Sequence, residues 1–213
     1  MKISIHGKKR DHDDARSSSD IGDMSIPHQE FLRALNTRFR TIRLRDAEEN
    51  VLSLEIDYRE LIPLSHHLHN YTGFKLLQLI SCVDWDEDNA FQMTYFIWNQ
   101  EDKIQLLFAF RIAKDSGVRI PSMIPIWPHA ETFERELREM YGVSFDGNQR
   151  QDESFLLEDW DGPPPMLREF DTLAFSIERF GERPGRYSEN TRRYIGEKVG
   201  EYDLSWRVPG KRE

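Results

Sequence analysis

Between residues 25 and 145 the apolar positions follow first a helical and then an alternating period. Ser25 stands where a helix cap is expected and Pro27 falls in the first turn, while Phe31, Leu32, Leu35 and Phe39 share one face. The runs Thr41-Ile42-Arg43-Leu44-Arg45 and Val51-Leu52-Ser53-Leu54-Glu55-Ile56 alternate on either side of a turn through Asp46–Asn50. They predict a hairpin with Ile42, Leu44, Leu52, Leu54 and Ile56 facing inward. A second helix is expected over residues 62–72, with Pro63 in its first turn and Gly73 at its end. Three strand-length runs come next, Phe74–Val83, Phe91–Trp98 and Lys103–Ile112, separated by the short turns Asp84–Asn89 and Asn99–Asp102. Neighbours joined so closely predict an antiparallel meander.

Residues 113–128 contain Pro121, Pro125 and Pro128 and read as a loop leading into a third helix. In that helix Ala130, Phe133, Leu137, Met140 and Tyr141 recur at offsets of three, four and seven, which predicts one buried stripe. Glu131, Glu134, Arg135, Arg138 and Glu139 fall on the other face, with Glu131–Arg135 and Glu134–Arg138 in the favourable order for pairs four residues apart. Gly142 sits where helices often end in a left-handed residue. The fold class expected is α+β: a mostly antiparallel sheet with helices packed on one face, plus an extended C-terminal tail. The domain reading is a flexible N-terminal arm over residues 1–24, a core over 25–145 and an extended segment over 146–213. That last segment contains Asp161-Gly162-Pro163-Pro164-Pro165, which suits neither helix nor central strand, and then isolated aromatics such as Phe175, Phe180, Tyr187, Tyr194, Tyr202 and Trp206. So many aromatics are unusual for a disordered tail and point to one laid over another subunit.

Composition changes the picture in two respects. The 29 basic residues are outnumbered by 38 acidic ones, giving a net charge of −9. Ten acids and three bases lie between Glu131 and Asp161. A chain of this charge is poorly suited to nucleic acid or anionic lipid and better suited to a protein partner with a basic surface. The single cysteine, Cys82, excludes an internal disulfide and a cysteine-ligated iron–sulfur cluster in this chain. No apolar run approaches the roughly 20 residues of a membrane helix, and no signal or transit segment is evident. These features lead to the expectation of a soluble protein in a reducing compartment.

The candidate chemistry is sparse. His66 and His69 share a helix face with metal-pair spacing, but no third ligand is near in sequence, so solvated histidines are the favoured reading. Glu134 and Glu136 point about 200° apart on a helix and cannot flank one substrate bond. Cys82 has no basic neighbour in sequence and reads as a buried, inert thiol. No glycine-rich phosphate loop or nucleophile elbow is present. The residues alone predict no active site, no bound cofactor and no metal.

The third helix with its flanks resembles the 30 kDa subunit family of respiratory complex I, the C-type subunits of bacterial NADH:quinone oxidoreductases. Trp127, Pro128, Ala130, Phe133, Glu134, Arg135, Glu136, Glu139, Met140, Tyr141, Gly142, Val143 and Phe145 match that family's signature. Glu158-Asp159-Trp160-Asp161-Gly162 resembles its second block, and the resemblance spans about residues 60–170. Departures include Glu139 for the usual aspartate, Phe133 where tryptophan is common and Gly147-Asn148-Gln149 in place of Gly-His-Pro. Drift of this kind also resembles the counterparts in membrane-bound nickel–iron hydrogenases and in ferredoxin- or coenzyme F420-linked complexes.

The resemblance implies a non-catalytic structural subunit of the hydrophilic arm, supporting electron transfer coupled to ion translocation. It would be bound peripherally on the cytoplasmic side of the membrane and reach the membrane only through the complex. Its partners would be the large subunit, of 49 kDa or hydrogenase type, and subunits carrying iron–sulfur clusters. Trp127, Glu131, Glu134, Arg135, Glu136, Glu139, Trp160 and Arg168 would form the partner interface, with Arg135 as pivot bridging Glu131 or Glu139 to the partner. A soluble adaptor using the same acidic helix is the reading from another class.

Overall fold

The computed structural model describes residues 26–181, with side chains from residue 29 onward. The expected arm over 1–24, the Ser25 cap and most of the expected tail lie outside these residues. Two units are present, one ending at Phe170 and the other beginning at Asp171.

The first unit opens with α1 (Ile26–Arg38), followed by the hairpin β1 (Arg43–Glu48) and β2 (Val51–Glu55). After a short 3-10 turn come α2 (Leu61–Tyr71) and the strands β3 (Leu76–Trp85), β4 (Ala90–Asn99) and β5 (Ile104–Ala113). Its last elements are β6 (Ile120–Pro121), α3 (Ala130–Tyr141) and β7 (Phe145–Asp146). The five long strands form one sheet in the order β1-β2-β5-β4-β3, while β6 and β7 form a small parallel pair. The hairpin and the meander are antiparallel as expected. They join by a parallel pairing of β2 with β5, Val51 opposite Gln105 through Glu55 opposite Ala109. No local pattern encodes that contact, because the two strands are separated in sequence by α2, β3 and β4.

Alternation decides which face is inward. Phe91, Met93, Tyr95 and Ile97 of β4 and Leu106, Phe108, Phe110 and Ile112 of β5 are all buried. They join Leu32, Leu35, Leu61, Leu64, Leu68 and Leu137 from the helices in one core, so the helices cover one face of the sheet. Tyr95 stacks on Phe108 with ring centroids 5.3 Å apart, at the centre of that layer. Each such side chain contributes roughly 1.5–3 kcal/mol when fully buried.

Turns lock the layers together. Gly73 has φ +79°, and a Cβ there would lie 2.8 Å from Asn99 Nδ2. Asn99 donates to the Thr72 carbonyl and accepts from the Glu101 and Asp102 N–H groups, so one buried amide ties the α2–β3 turn to the β4–β5 turn. Only glycine supplies both the positive φ and the space.

The boundary expected at residue 145 falls inside the first unit. Residues 146–170 return to the core: the Met166 N–H donates to the Met140 carbonyl at 3.0 Å, and the Arg168 N–H donates to Asp84 at 3.0 Å. In the second unit Asp171 caps α4 (Thr172–Phe180) by accepting from the Leu173 and Ala174 N–H groups, and the helix ends at Gly181. A capped helix thus stands where an aperiodic tail was expected.

Candidate functional site

The residues that carry the signature gather around α3. Just ahead of the helix, Trp127 is 1% exposed and its indole N–H donates to the Lys75 carbonyl at 3.0 Å. His129 Nε2 lies 2.7 Å from the Leu77 carbonyl. A carbonyl can only accept, so Nε2 carries the proton. β3 is the last strand of its sheet, and these two donors engage backbone carbonyls that an edge would otherwise present to water.

Glu134 overturns the expected division of α3 into faces. Positions 130, 134, 137 and 141 lie within about 60° of one another on a helix, and Ala130, Glu134 and Leu137 are the buried residues of α3. The Glu134 side chain therefore points into the core. Oε1 accepts from the Met123 N–H at 2.7 Å, and Oε2 accepts from Ser122 Oγ at 2.8 Å and Asn148 Nδ2 at 3.0 Å. One carboxylate thus ties the loop before α3 to the loop after β7. Burial raises its pKa, although the three hydrogen bonds act in the opposite direction. The nearby Tyr95 hydroxyl is buried without a hydrogen-bond partner among the described residues. Burial and then the Glu134 charge push that phenol well above its ordinary pKa.

On the polar side, α3 clamps its own chain. The Glu139 carboxylate accepts from the N–H groups of Phe155, Leu156 and Leu157 at 2.9, 2.8 and 3.2 Å. Burial alone would raise its pKa, but the three N–H donors and Arg135 outweigh burial and lower it. Arg135 has a side chain only 12% exposed, donates to the Ser154 carbonyl at 2.8 Å and lies over the Phe155 ring at 5.3 Å. Its distance to Glu131 is 4.0 Å, whereas Glu131 pairs with Arg150 at 2.7 Å. The expected Glu134–Arg138 pair is replaced by bonds from Arg138 to Asp152, the Gly142 carbonyl and Ser144. Arg135 is therefore a pivot within this chain, gripping residues 153–155.

Arg168 and Trp160 complete the expected set. Besides its backbone bond to Asp84, Arg168 reaches Glu87 at 3.0 Å. Asp84 is buried and pairs with Lys114 at 2.6 Å, so β3, the segment after β5 and residue 168 meet at one carboxylate. Trp160 is partly exposed, and Glu136 is half-buried. Of the eight residues expected at a partner interface, Trp127 and Glu134 face the chain's own interior, and Arg135 and Glu139 are committed to its loop. Helix-wheel arithmetic at position 134 would have revealed the first point; the loop contacts have no signal in the sequence.

The remaining candidates are scattered. His66 and His69 both bond to Asn70, and among the described residues no group of three or more His, Cys, Asp or Glu could hold a metal ion. Cys82 is buried, and burial followed by the Asp84 charge pushes its thiol up to about 12. A recess of about 150 Å³ beside Lys114, Arg119 and Ser144 has no carboxylate, imidazole or thiol among its lining residues. Among the described residues no helix is long and apolar enough to cross a membrane.

Comparison with known proteins matches residues 54–176 to the family of the respiratory-chain NADH dehydrogenase 30 kDa subunit. The chain is 28% identical to the C-type subunit of NADH-quinone oxidoreductase from Agrobacterium fabrum over 66% of each chain. It is 25% identical to the C-type subunit from Moorella thermoacetica, over 63% of this chain and 89% of that one. With the second C/D-type subunit of NADH-quinone oxidoreductase from Aquifex aeolicus it shares 30% identity over 52% of this chain and 18% of that protein. The chain thus spans less than two thirds of the length of several relatives. A chain in the structure of the membrane-bound sulfane sulfur reductase, an archaeal respiratory membrane complex, has the same fold: TM-score 0.68 and 24% identity, covering 76% of this chain and 99% of that one.

Proposed function

Because the chain belongs to the respiratory-chain NADH dehydrogenase 30 kDa subunit family, we propose that it is a non-catalytic structural subunit in the hydrophilic arm of a complex I-like NADH:quinone oxidoreductase. The observation that carries this reading is how the family signature is used. Trp127, Glu134, Arg135 and Glu139 spend their polar groups on this chain's own backbone and side chains. A signature spent this way maintains a shape, and a shape serves a partner.

On this reading the chain binds no cluster of its own, and the iron–sulfur clusters belong to its partners. The large subunit of the complex is the principal partner, and the complex attaches the chain peripherally to the cytoplasmic side of the membrane. Electron donor and acceptor are set by the catalytic subunits. Nickel-binding cysteine pairs in the large subunit would mark the hydrogenase counterpart.

Purification of the tagged full-length chain from solubilised membranes tests the reading. Iron–sulfur and membrane-embedded subunits should come with it in fixed ratio. Recovery of the chain alone from the soluble fraction would instead favour an adaptor.

A further inference from the structure

Loop residues whose backbone is tied down while their apolar side chains face water are suited to presenting those side chains to another surface. Within residues 155–157, Leu156 meets this description, while Phe155 and Leu157 are half-buried. Glu139 holds the N–H groups of all three, and Leu156 is 57% exposed. The following segment is fixed as well. Trp160 donates its indole N–H to the Pro163 carbonyl at 3.0 Å and meets the Phe170 ring edge-on at 6.0 Å, with 36% of its surface left in water. Met166 is bonded through its N–H to Met140 and is 54% exposed. Since Glu139 and Met140 are consecutive in α3, the backbones of Leu156 and Met166 are both anchored to one turn of that helix.

Charge surrounds these side chains with one sign. From residue 150 to 161 the acids are Asp152, Glu153, Glu158, Asp159 and Asp161, against Arg150 alone. Arg150 is already bonded to Glu131 and Glu153. Glu158 and Asp159 are exposed and form no ion pair with a described residue.

We propose that this loop is a protein-docking surface whose occupant is a partner subunit presenting an apolar recess bordered by lysine or arginine. Leu156, Trp160 and Met166 are its anchors, and Glu158 and Asp159 its rim. The proposal rests on the reading of the chain as a subunit of a redox complex. Charge complementarity selects such a partner over a second copy, which would bring an identical acidic rim against this one. The tied backbone reduces the ordering cost of docking.

The test uses the tagged full-length chain purified with its complex, reading iron–sulfur protein retained per tagged chain. Leu156→Asp/Met166→Asp should reduce retention by roughly tenfold. Glu158→Lys/Asp159→Asn should reduce it at low salt, with a difference that shrinks as salt rises. Both isolated variants should melt within about 2 °C of the wild type, since the changed side chains are exposed. If the apolar variant lowers the melting temperature further, the rim variant carries the test. Wild-type retention by a variant that melts normally would overturn the docking surface while leaving the subunit reading in place. A wild-type chain that recovers no iron–sulfur partner would overturn both. A dimer of the isolated chain that Leu156→Asp/Met166→Asp dissolves would replace the occupant with a second copy.

Discussion

Glu134 reaches the core because position 134 falls between Ala130, Leu137 and Tyr141 on the helix, and it stays because three donors close around it. Glu134→Ala leaves the Met123 N–H and the Asn148 amide buried without their acceptor, at about 1–3 kcal/mol each. A loss of about 2–4 kcal/mol is expected in urea unfolding at pH 7. The raised pKa of Glu134 sets the pH dependence. Its stabilising effect is complete below the ordinary value of 4.5 and is lost as pH rises through the folded value. The stability of the wild type relative to Glu134→Gln should therefore fall as pH rises above 4.5. Glu139 has the opposite sign. Its lowered pKa contributes stability above 4.5 that is lost as pH falls through the folded value. Glu139→Gln should cost about 1–2 kcal/mol at pH 7 and progressively less as pH falls below 4.5, with faster amide exchange at Phe155, Leu156 and Leu157 as the local readout.

At the scale of elements, the turns show how much a single residue decides. Gly73→Ala forces a side chain into a left-handed conformation and against Asn99, so the amide that joins two turns must move. The expected cost is about 2 kcal/mol by thermal unfolding, and a change below about 0.5 kcal/mol would remove the turn from this account. Most of the elements were legible in the sequence, because β4 and β5 alternate cleanly and Gly73 and Gly142 end their helices in the left-handed region. α4 was not. Asp171 caps it, but isolated aromatics and little periodicity beyond residue 171 made the segment read as an extended tail. The apolar stripe of α3 was legible in outline only, because a buried glutamate looks like a surface one until its donors are known.

Across the molecule, Asp84 draws together parts of the chain that are far apart in sequence. It accepts from the backbone of Arg168 and pairs with Lys114, which also reaches Asp86 at 3.3 Å. Removing one partner of a buried pair leaves the other charge uncompensated. Asp84→Asn should therefore destabilise the chain by about 2–3 kcal/mol in urea unfolding and loosen residues 166–168, seen as faster exchange of the Arg168 amide. Lys114 keeps Asp86 as a second carboxylate, which holds the expected loss below that of a fully orphaned charge.

The sequence by itself determined α1 to α3 and β1 to β5, the burial of one sheet face and the family, since each rests on local periodicity or on a contiguous signature. The tertiary structure alone decided what the signature residues do. The parallel pairing of β2 with β5 and the capture of residues 153–157 by Arg135 and Glu139 depend on contacts between segments far apart in the chain. So does the closure of donors around Glu134. A charged side chain in a sequence shows what it can bond to, and only the fold shows which partner comes within reach.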